Sequence, residues 1–465
     1  MIPLTVAEVA RATGARMDCV SDPAALVTGP VVVDSRQAGA GALFVALPGE
    51  RVDGHDYAAA AAAGGAVVTL ASRPVGVPAL ITADVPAALG MLARTVVAAL
   101  PSLTVAGITG SAGKTTAKDL AAQLIEPLGP TIAPAGSFNN EIGHPLTVLR
   151  ATAETRYMVL ELSARKVGDI AYLCGIAPPQ LGVVLCVGTA HAGEFGGVEK
   201  IAWAKGELPA ALPDDGVALL NADDPLVSAM ADRTAARAVL FGRGPGAGVR
   251  AVDVALDSQG RPGFTLVTPE GEAPVQLRLF GEHNVTNALA AAALARELGM
   301  DVDSLAAGLS AATTRSRWRM EVSTTPGGVT VVNDAYNANP DAVAAALHTL
   351  SVMAAGRRAY AVLGHMAELG PDSPRRHEEV GALAARAGVA GLVVVGEEAE
   401  PMLAGAQGEP SWHGALVAVP DVAAAVAELR NRLGPGDVVL VKASRSAGLE
   451  RVAQALTEAV GEGRR

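Results

Sequence analysis

The chain has 465 residues, half of them hydrophobic and only 3% aromatic, with a formal charge of −11 at neutral pH. A length of this order suggests about three domains, with cores of Val, Leu and Ala. No basic run stands out, which argues against nucleic acid as a main partner. An anionic substrate therefore has to be held by local groups and not by a global field.

The N-terminal Met1-Ile-Pro-Leu-Thr-Val has no basic segment leading into an apolar run, so no signal peptide is expected. The longest apolar stretch, 57–71, is broken by Gly64-Gly65 and falls short of the roughly 18 residues of a membrane span. It reads as helix, turn and strand. A soluble, cytoplasmic protein without membrane insertion is expected. Cys19, Cys174 and Cys186 are scattered, with no C-x-x-C pair. They are expected to be buried small hydrophobes in a reducing compartment.

In chain order, strands are expected at 31–33, 43–46, 67–70, 80–82, 103–108, 157–160, 183–187, 217–220, 239–241, 329–332, 359–363, 392–395 and 438–441. Continuous Val/Leu runs separated by helix-length Ala/Leu stretches predict an α/β fold with parallel sheets covered on both faces. The segment 245–280 alternates and carries Gly and Pro, which predicts an antiparallel hairpin edge. Joints are expected near 98–102 and in Ala311-Ala-Thr-Thr-Arg-Ser316. They divide the chain into 1–100, 101–314 and 315–465.

The second part opens with Gly107-Ile-Thr-Gly-Ser-Ala-Gly-Lys-Thr-Thr116, between an apolar strand and an Ala-rich helix. Strand, Gly-rich turn and helix form a phosphate cradle. Backbone N–H groups approach the phosphate oxygens, Lys114 adds positive charge, and a Thr hydroxyl can ligate Mg²⁺. The spacing is T-G-x-x-G-K-T and departs from the strict P-loop, because Ile108 stands where that pattern has glycine. ATP is the expected nucleotide.

Glu161 closes the strand Tyr157-Met-Val-Leu-Glu, at the sheet edge where functional groups gather. His191 lies in Gly188-Thr-Ala-His-Ala-Gly-Glu-Phe-Gly-Gly197, and Lys205 in Ala204-Lys-Gly-Glu207. Further on come Gly281-Glu-His-Asn-Val-Thr-Asn287 and Arg319-Met-Glu321. In this order the stretches resemble the Mur ligases, ATP-dependent amide ligases of cell-wall precursor assembly. The resemblance covers essentially the whole chain. It implies three α/β domains: a central phosphate-loop domain with a mostly parallel sheet, a smaller N-terminal domain and a Rossmann-like C-terminal domain.

Site roles follow from the resemblance position by position. The loop from Thr109 through Gly110, Ser111, Ala112, Gly113, Lys114, Thr115 and Thr116 is expected to hold ATP. Asn284 and Asn287 are expected at the adenine, Arg319 at the terminal phosphates and Asp334 at the ribose. Thr115 and Glu161 are expected to ligate one Mg²⁺ and His191 a second. Nitrogen is an unusual donor for so hard an ion, so the His191 role rests on the family. Lys205 matches a lysine that family members carry as a carbamate, an oxygen-bearing anion beside the metals. Lys114, His191 and Lys205 form the implied catalytic set.

Asn333-Asp-Ala-Tyr-Asn-Ala-Asn-Pro340 and Gly364-His-Met-Ala-Glu-Leu-Gly370 resemble the family branch that adds D-alanyl-D-alanine. The implied substrates are UDP-N-acetylmuramoyl-tripeptide and D-Ala-D-Ala, joined through an acyl phosphate, with a monomer as the acting unit. Tyr336 and Asn337 are candidate contacts, although turn chemistry alone explains Asn337 and Asn339 equally. Asp34-Ser-Arg36 and Asp53-Gly-His-Asp-Tyr57 resemble the uridine-nucleotide segment, which makes Ser35 and Arg36 candidates for UDP. Asn139 and Asn140, in Gly136-Ser-Phe-Asn-Asn140, are candidates for seating the sugar-peptide. Ser163, His365 and Ala443 depart from the pattern. A diamino-acid-adding Mur ligase, a folylpolyglutamate synthase-like ligase, a P-loop ATPase and a nucleotide-sugar binder are the competing readings.

Overall fold

A computed structural model describes residues 1–49, 52–188 and 195–458. Its strands form three larger sheets, each built from a contiguous part of the chain, and one small two-stranded pair. The first larger sheet runs in the order Arg16–Asp18, Ala79–Ile81, Ala66–Ala71, Ala42–Val45, Val31–Val32. It is parallel except for its Arg16–Asp18 edge.

The central sheet has nine strands among the described residues. Thr104–Thr109 lies between Leu181–Val184 and Tyr157–Glu161, parallel to both. The chain therefore leaves this strand in one direction and later returns on its other side. Such a switch point opens a crevice at the carboxyl ends of the strands, and the phosphate loop begins there. Val105, Ile108, Val159 and Val183 are fully buried, as strands covered on both faces require. Helices Lys114–Ile125 and Asn284–Glu297 pack together over the sheet. Every residue from Ala288 to Ala295 is buried, so the second helix is interior and its alanines allow close approach. The far edge is an antiparallel meander of Val249–Leu256, Pro262–Thr268 and Gly271–Gln276, one strand more than the expected hairpin.

The third sheet runs Glu321–Thr324, Thr330–Asn333, Val438–Lys442, Ala359–Gly364, Gly391–Val395, Ala415–Val419, and only its first pair is antiparallel. Helix Val85–Ala98 joins the first sheet to the second body. Asp84 caps it by accepting from the Ala87 amide at 2.9 Å. Its Ala88, Leu89, Leu92 and Val96 belong to one apolar core that runs from Val6 through to Leu208 and Ala236.

Two expectations need correction. The strand expected over 183–187 stops at Val184. Beyond it the chain turns toward the phosphate loop, and the Ser111 amide donates to Cys186 O at 2.9 Å. Cys186 is therefore half-buried in a loop. Cys19 is exposed, at a left-handed turn position with φ 55°, while Cys174 is buried as expected. Among the described residues no helix is long and apolar enough to cross a membrane.

Candidate active site

The phosphate loop is a Gly-rich turn that opens helix Lys114–Ile125. Gly113 sits at its start with φ 82°, and a Cβ there would lie 2.2 Å from Asn287 Oδ1. Both the backbone and the close approach demand glycine. No side chain caps this helix, so its first N–H groups remain for an anion. Lys114 folds back and donates to Gly110 O at 2.7 Å. Burial pushes its pKa down, and the Glu161 carboxylate opposes that shift. Ser111 Oγ accepts from the Gly188 amide at 2.9 Å. Thr109 instead spends its hydroxyl on Leu162 O at 2.9 Å and is fully buried.

Glu161 pairs in register with Ile108 on the neighbouring strand, which brings it to the helix start. It is 1% exposed. Its Oε2 accepts from Thr115 Oγ1 at 2.9 Å and its Oε1 from Asn139 Nδ2 at 2.6 Å. Ser137 Oγ lies 2.9 Å from Thr115 Oγ1. Arg319 reaches across from the third part of the chain, and its Nη2 donates to Thr115 Oγ1 at 3.0 Å and Ser137 Oγ at 3.3 Å. The result is a compact oxygen cluster flanked by two cations. Among the described residues, no group of three or more His, Cys, Asp or Glu side chains gathers as a metal cage.

Lys205 ends helix Val198–Lys205 and is 4% exposed. Burial, reinforced by the Lys114 charge, pushes its pKa down to about 7. Arg233 fixes this helix end. It donates to Trp203 O at 3.0 Å and stacks on the Trp203 ring at 4.3 Å. His191 lies outside the described residues.

Asn284 and Asn287 open the interior helix. Asn284 Nδ2 donates to Phe280 O at 2.8 Å, and Asn287 Nδ2 to Asn284 Oδ1 at 2.9 Å. On the opposite wall the Arg319 guanidinium lies over the Tyr336 ring at 4.2 Å, and Trp318 stacks on the same ring. Trp318 and Met320, on either side of Arg319, both have left-handed backbone, with φ of 60° and 48°. Asp334 accepts from the Met320 amide at 3.1 Å and from Lys442 Nζ at 2.6 Å. Lys442 Nζ also donates to Asn337 O at 2.8 Å. Asn339 caps helix Pro340–Ala354 by accepting from the Ala342 amide at 2.8 Å, so turn chemistry accounts for it.

These groups face one cleft of about 1400 Å³. It brings together Ser111 to Thr116, Asn139, Asn140, Glu161, Asn284, Asn287, Arg319, Asp334, Tyr336 and Asn337. Thr109, Gly110 and Lys205 do not line it. Ser35 and Arg36 lie apart from it, in the first part of the chain. Arg36 holds Asp34 through three side-chain bonds of 2.7, 2.9 and 3.2 Å, with its side chain 88% exposed. Asn140 Oδ1 accepts from the Gly143 amide at 2.9 Å, which starts helix Gly143–Val148. Sequence reasoning missed Ser137, Trp318 and Lys442. Ser137 sits two residues before the singled-out Asn139, the only local signal for it.

A phosphate loop at a switch point, in a cleft that Arg319, Asp334 and Tyr336 of the third part of the chain also line, defines a nucleotide-binding site between two α/β bodies. Family profiles agree: the Mur ligase family catalytic domain matches residues 30–110, the Mur ligase middle domain 108–295, and the Mur ligase glutamate ligase domain 318–445. A UDP-N-acetylmuramoyl-tripeptide--D-alanyl-D-alanine ligase of Mycobacterium tuberculosis is 51% identical, with 98% of each chain covered. The enzyme of that name from Escherichia coli is 37% identical over 92% of this chain and 93% of its own. A crystal structure of MurF from Acinetobacter baumannii superposes with a TM-score of 0.86 at 32% identity, covering 98% of this chain and 99% of that one. MurF from Thermotoga maritima, solved in complex with ADP, gives 0.79 at 31% identity, over 93% and 98%. The chain belongs to the Mur ligase family.

Proposed function

We propose that this chain joins D-alanyl-D-alanine to UDP-N-acetylmuramoyl-tripeptide, converting ATP to ADP and phosphate, in peptidoglycan precursor synthesis. The observation that carries this reading is the meeting of Lys114, Thr115, Glu161 and Arg319 at one end of a cleft that also presents Tyr336 and Asn337. The full-length similarity to ligases named for this reaction supports it.

A carboxylate resists attack by an amine because its charge repels the nucleophile and its oxygen is a poor leaving group. Phosphorylating the tripeptide carboxylate with ATP gives an acyl phosphate. The dipeptide amine then attacks, a tetrahedral intermediate forms, and phosphate departs. The protein's task is positioning and charge compensation. Lys114 and the free amides of the loop hold the phosphates, and Arg319 faces the terminal one. Asn284 and Asn287 meet the base, and Asp334 the ribose.

The donor set fits Mg²⁺, which prefers oxygen and completes its shell with water and phosphate oxygens. Thr115 Oγ1 and Glu161 Oε2 already lie 2.9 Å apart and would hold one ion, with His191 assigned to a second. Bound magnesium supplies neutralisation of the transferring phosphoryl charge. Lys205 is the candidate carbamate, because a buried amine with a lowered pKa reacts with CO₂ as the neutral base.

We divide the work among three domains: 1–100 for the UDP moiety through Ser35 and Arg36, 101–314 for ATP, and 315–465 for closing over the nucleotide and seating D-Ala-D-Ala. Asn139 and Asn140 lie where the sugar-peptide enters. The monomer is the proposed acting unit. ATP and UDP-linked sugars are intracellular metabolites, which makes the cytoplasm its proposed location.

The test is mass-spectrometric detection of the UDP-linked pentapeptide from purified protein, ATP, magnesium, UDP-N-acetylmuramoyl-tripeptide and D-Ala-D-Ala. Phosphate release is expected to require both peptide partners. Nucleotide hydrolysis indifferent to them would overturn the reading.

A further inference from the structure

The segment 313–316 carries the chain from the second body into the third, and sequence reasoning treats it as a joint. The structure shows it bound along the phosphate-loop helix. The Ser316 amide donates to Asp119 Oδ2 at 2.9 Å. Thr313 exchanges two bonds with Gln123, its amide donating to Oε1 at 3.1 Å and its carbonyl accepting from Nε2 at 2.9 Å. Arg315 makes a two-pronged ion pair with Glu126, one prong at 2.7 Å. Asp119 and Gln123 lie one turn apart on the helix and Glu126 caps its C-terminal end, so the three form one stripe.

Asp119 is anchored in turn. Lys118, 1% exposed, lies 2.5 Å from Asp119 Oδ1 and donates to Pro134 O at 2.7 Å. That carbonyl begins the loop supplying Ser137 and Asn139 to the Thr115–Glu161 cluster. One helix thus holds both segments that meet at Thr115: the 134–140 loop directly through Lys118, and Arg319 through the gripped linker. None of Lys118, Asp119, Gln123 or Glu126 lines the cleft.

We propose that Asp119, Gln123 and Glu126 are positioning residues which, by gripping 313–316, set Arg319 against the phosphate loop, so that Arg319 belongs mechanically to the ATP body. Any swing of the third body then takes place beyond Arg319, from Met320 onward, where the backbone is left-handed with φ 48°. The inference rests on the reading that Arg319 meets the terminal phosphate of ATP.

The experiment is calorimetric binding of ADP and of a non-hydrolysable ATP analogue, with magnesium, to the full chain. The Gln123→Ala/Arg315→Ala double variant removes the two outer grips without orphaning a buried charge. It is expected to lose about tenfold or more for the triphosphate analogue, the scale of a charge-assisted hydrogen bond, and no more than about twofold for ADP. Arg319→Ala is expected to show the same split, and adding the double variant to it to cause no further loss. Asp119→Ala, which also takes the counter-ion from buried Lys118, is expected to show the same split; should it fail to fold, the double variant carries the test alone. Equal losses for both nucleotides, no loss, or additivity with Arg319→Ala would overturn the proposal. Failure of the wild-type chain to make pentapeptide would sink the proposed reaction and leave the nucleotide split to be judged by itself.

Discussion

Lys442 donates to Asp334 at 2.6 Å with both side chains largely withdrawn from water, at 3% and 13% exposure. The pair ties the end of strand Val438–Lys442 to the turn that follows strand Thr330–Asn333. Lys442→Met leaves Asp334 a buried carboxylate without its counter-ion. We expect a loss of about 3 kcal/mol in denaturant unfolding, the usual scale for breaking a buried pair from one side. Asp334→Asn together with Lys442→Met is expected to recover part of it.

Gly113→Ala places a methyl group 2.2 Å from Asn287 Oδ1 at a residue with φ 82°. The left-handed backbone alone costs about 1–2 kcal/mol, and Asn287 has to leave its bond to Asn284. The expected outcome is loss of ADP binding by calorimetry. A variant that binds ADP as wild type contradicts the close approach.

Lys114 is half-buried and donates to the loop carbonyl Gly110 O, so Lys114→Ala is expected to fold normally. Its removal takes a cation from the place where phosphoryl charge develops. We expect kcat to fall about 10²–10³-fold, on the scale of a deleted electrostatic donor. Steady-state kinetics paired with a thermal melt separate the two effects.

His144 has 0% exposure, and burial pushes its pKa down to about 4, only partly offset by a backbone contact at Leu173. In the unfolded chain it titrates near the ordinary imidazole value of about 6.5. The folded form therefore binds fewer protons between these values. Its contribution is present in full above 6.5 and is lost as the pH falls toward 4, by about 3 kcal/mol. His144→Leu is expected to flatten the stability profile across that window.

Lys205 yields a spectroscopic prediction. Protein equilibrated with ¹³C-bicarbonate is expected to show a carbamate resonance, and Lys205→Met to abolish it. A wild-type spectrum without that signal removes the carbamate from the site.

Much of this arrangement is legible in the sequence because local patterns dictate it. The runs around Ile108, Val183 and Leu440 are apolar enough to read as two-sided strands, and Glu161 stands out as the charge that ends one. The hydrophobic run through Cys186 misleads because its residues stay half-buried after the strand has ended, packed against the phosphate loop. Ser137 and the grip on 313–316 are invisible locally. They depend on partners as much as 197 residues away, and a serine amide or a glutamine carries no mark of its future contact. The edge strand Glu321–Thr324 is mostly exposed and lacks the apolar signature that betrays the central ones, whereas the edge strand Ala415–Val419 is apolar in sequence and carries a signal that sequence reasoning missed.

The apolar core that passes unbroken from Val6 to Ala236 bears on how this protein can be dissected. A fragment starting at residue 101 would strip the covering helix from Leu162, Leu173 and Ile176 and leave a greasy face in water. Recombinant pieces cut at that point are expected to precipitate, whereas residues 1–314 expressed together keep the seam closed and retain helix Val302–Ala311 on the central core.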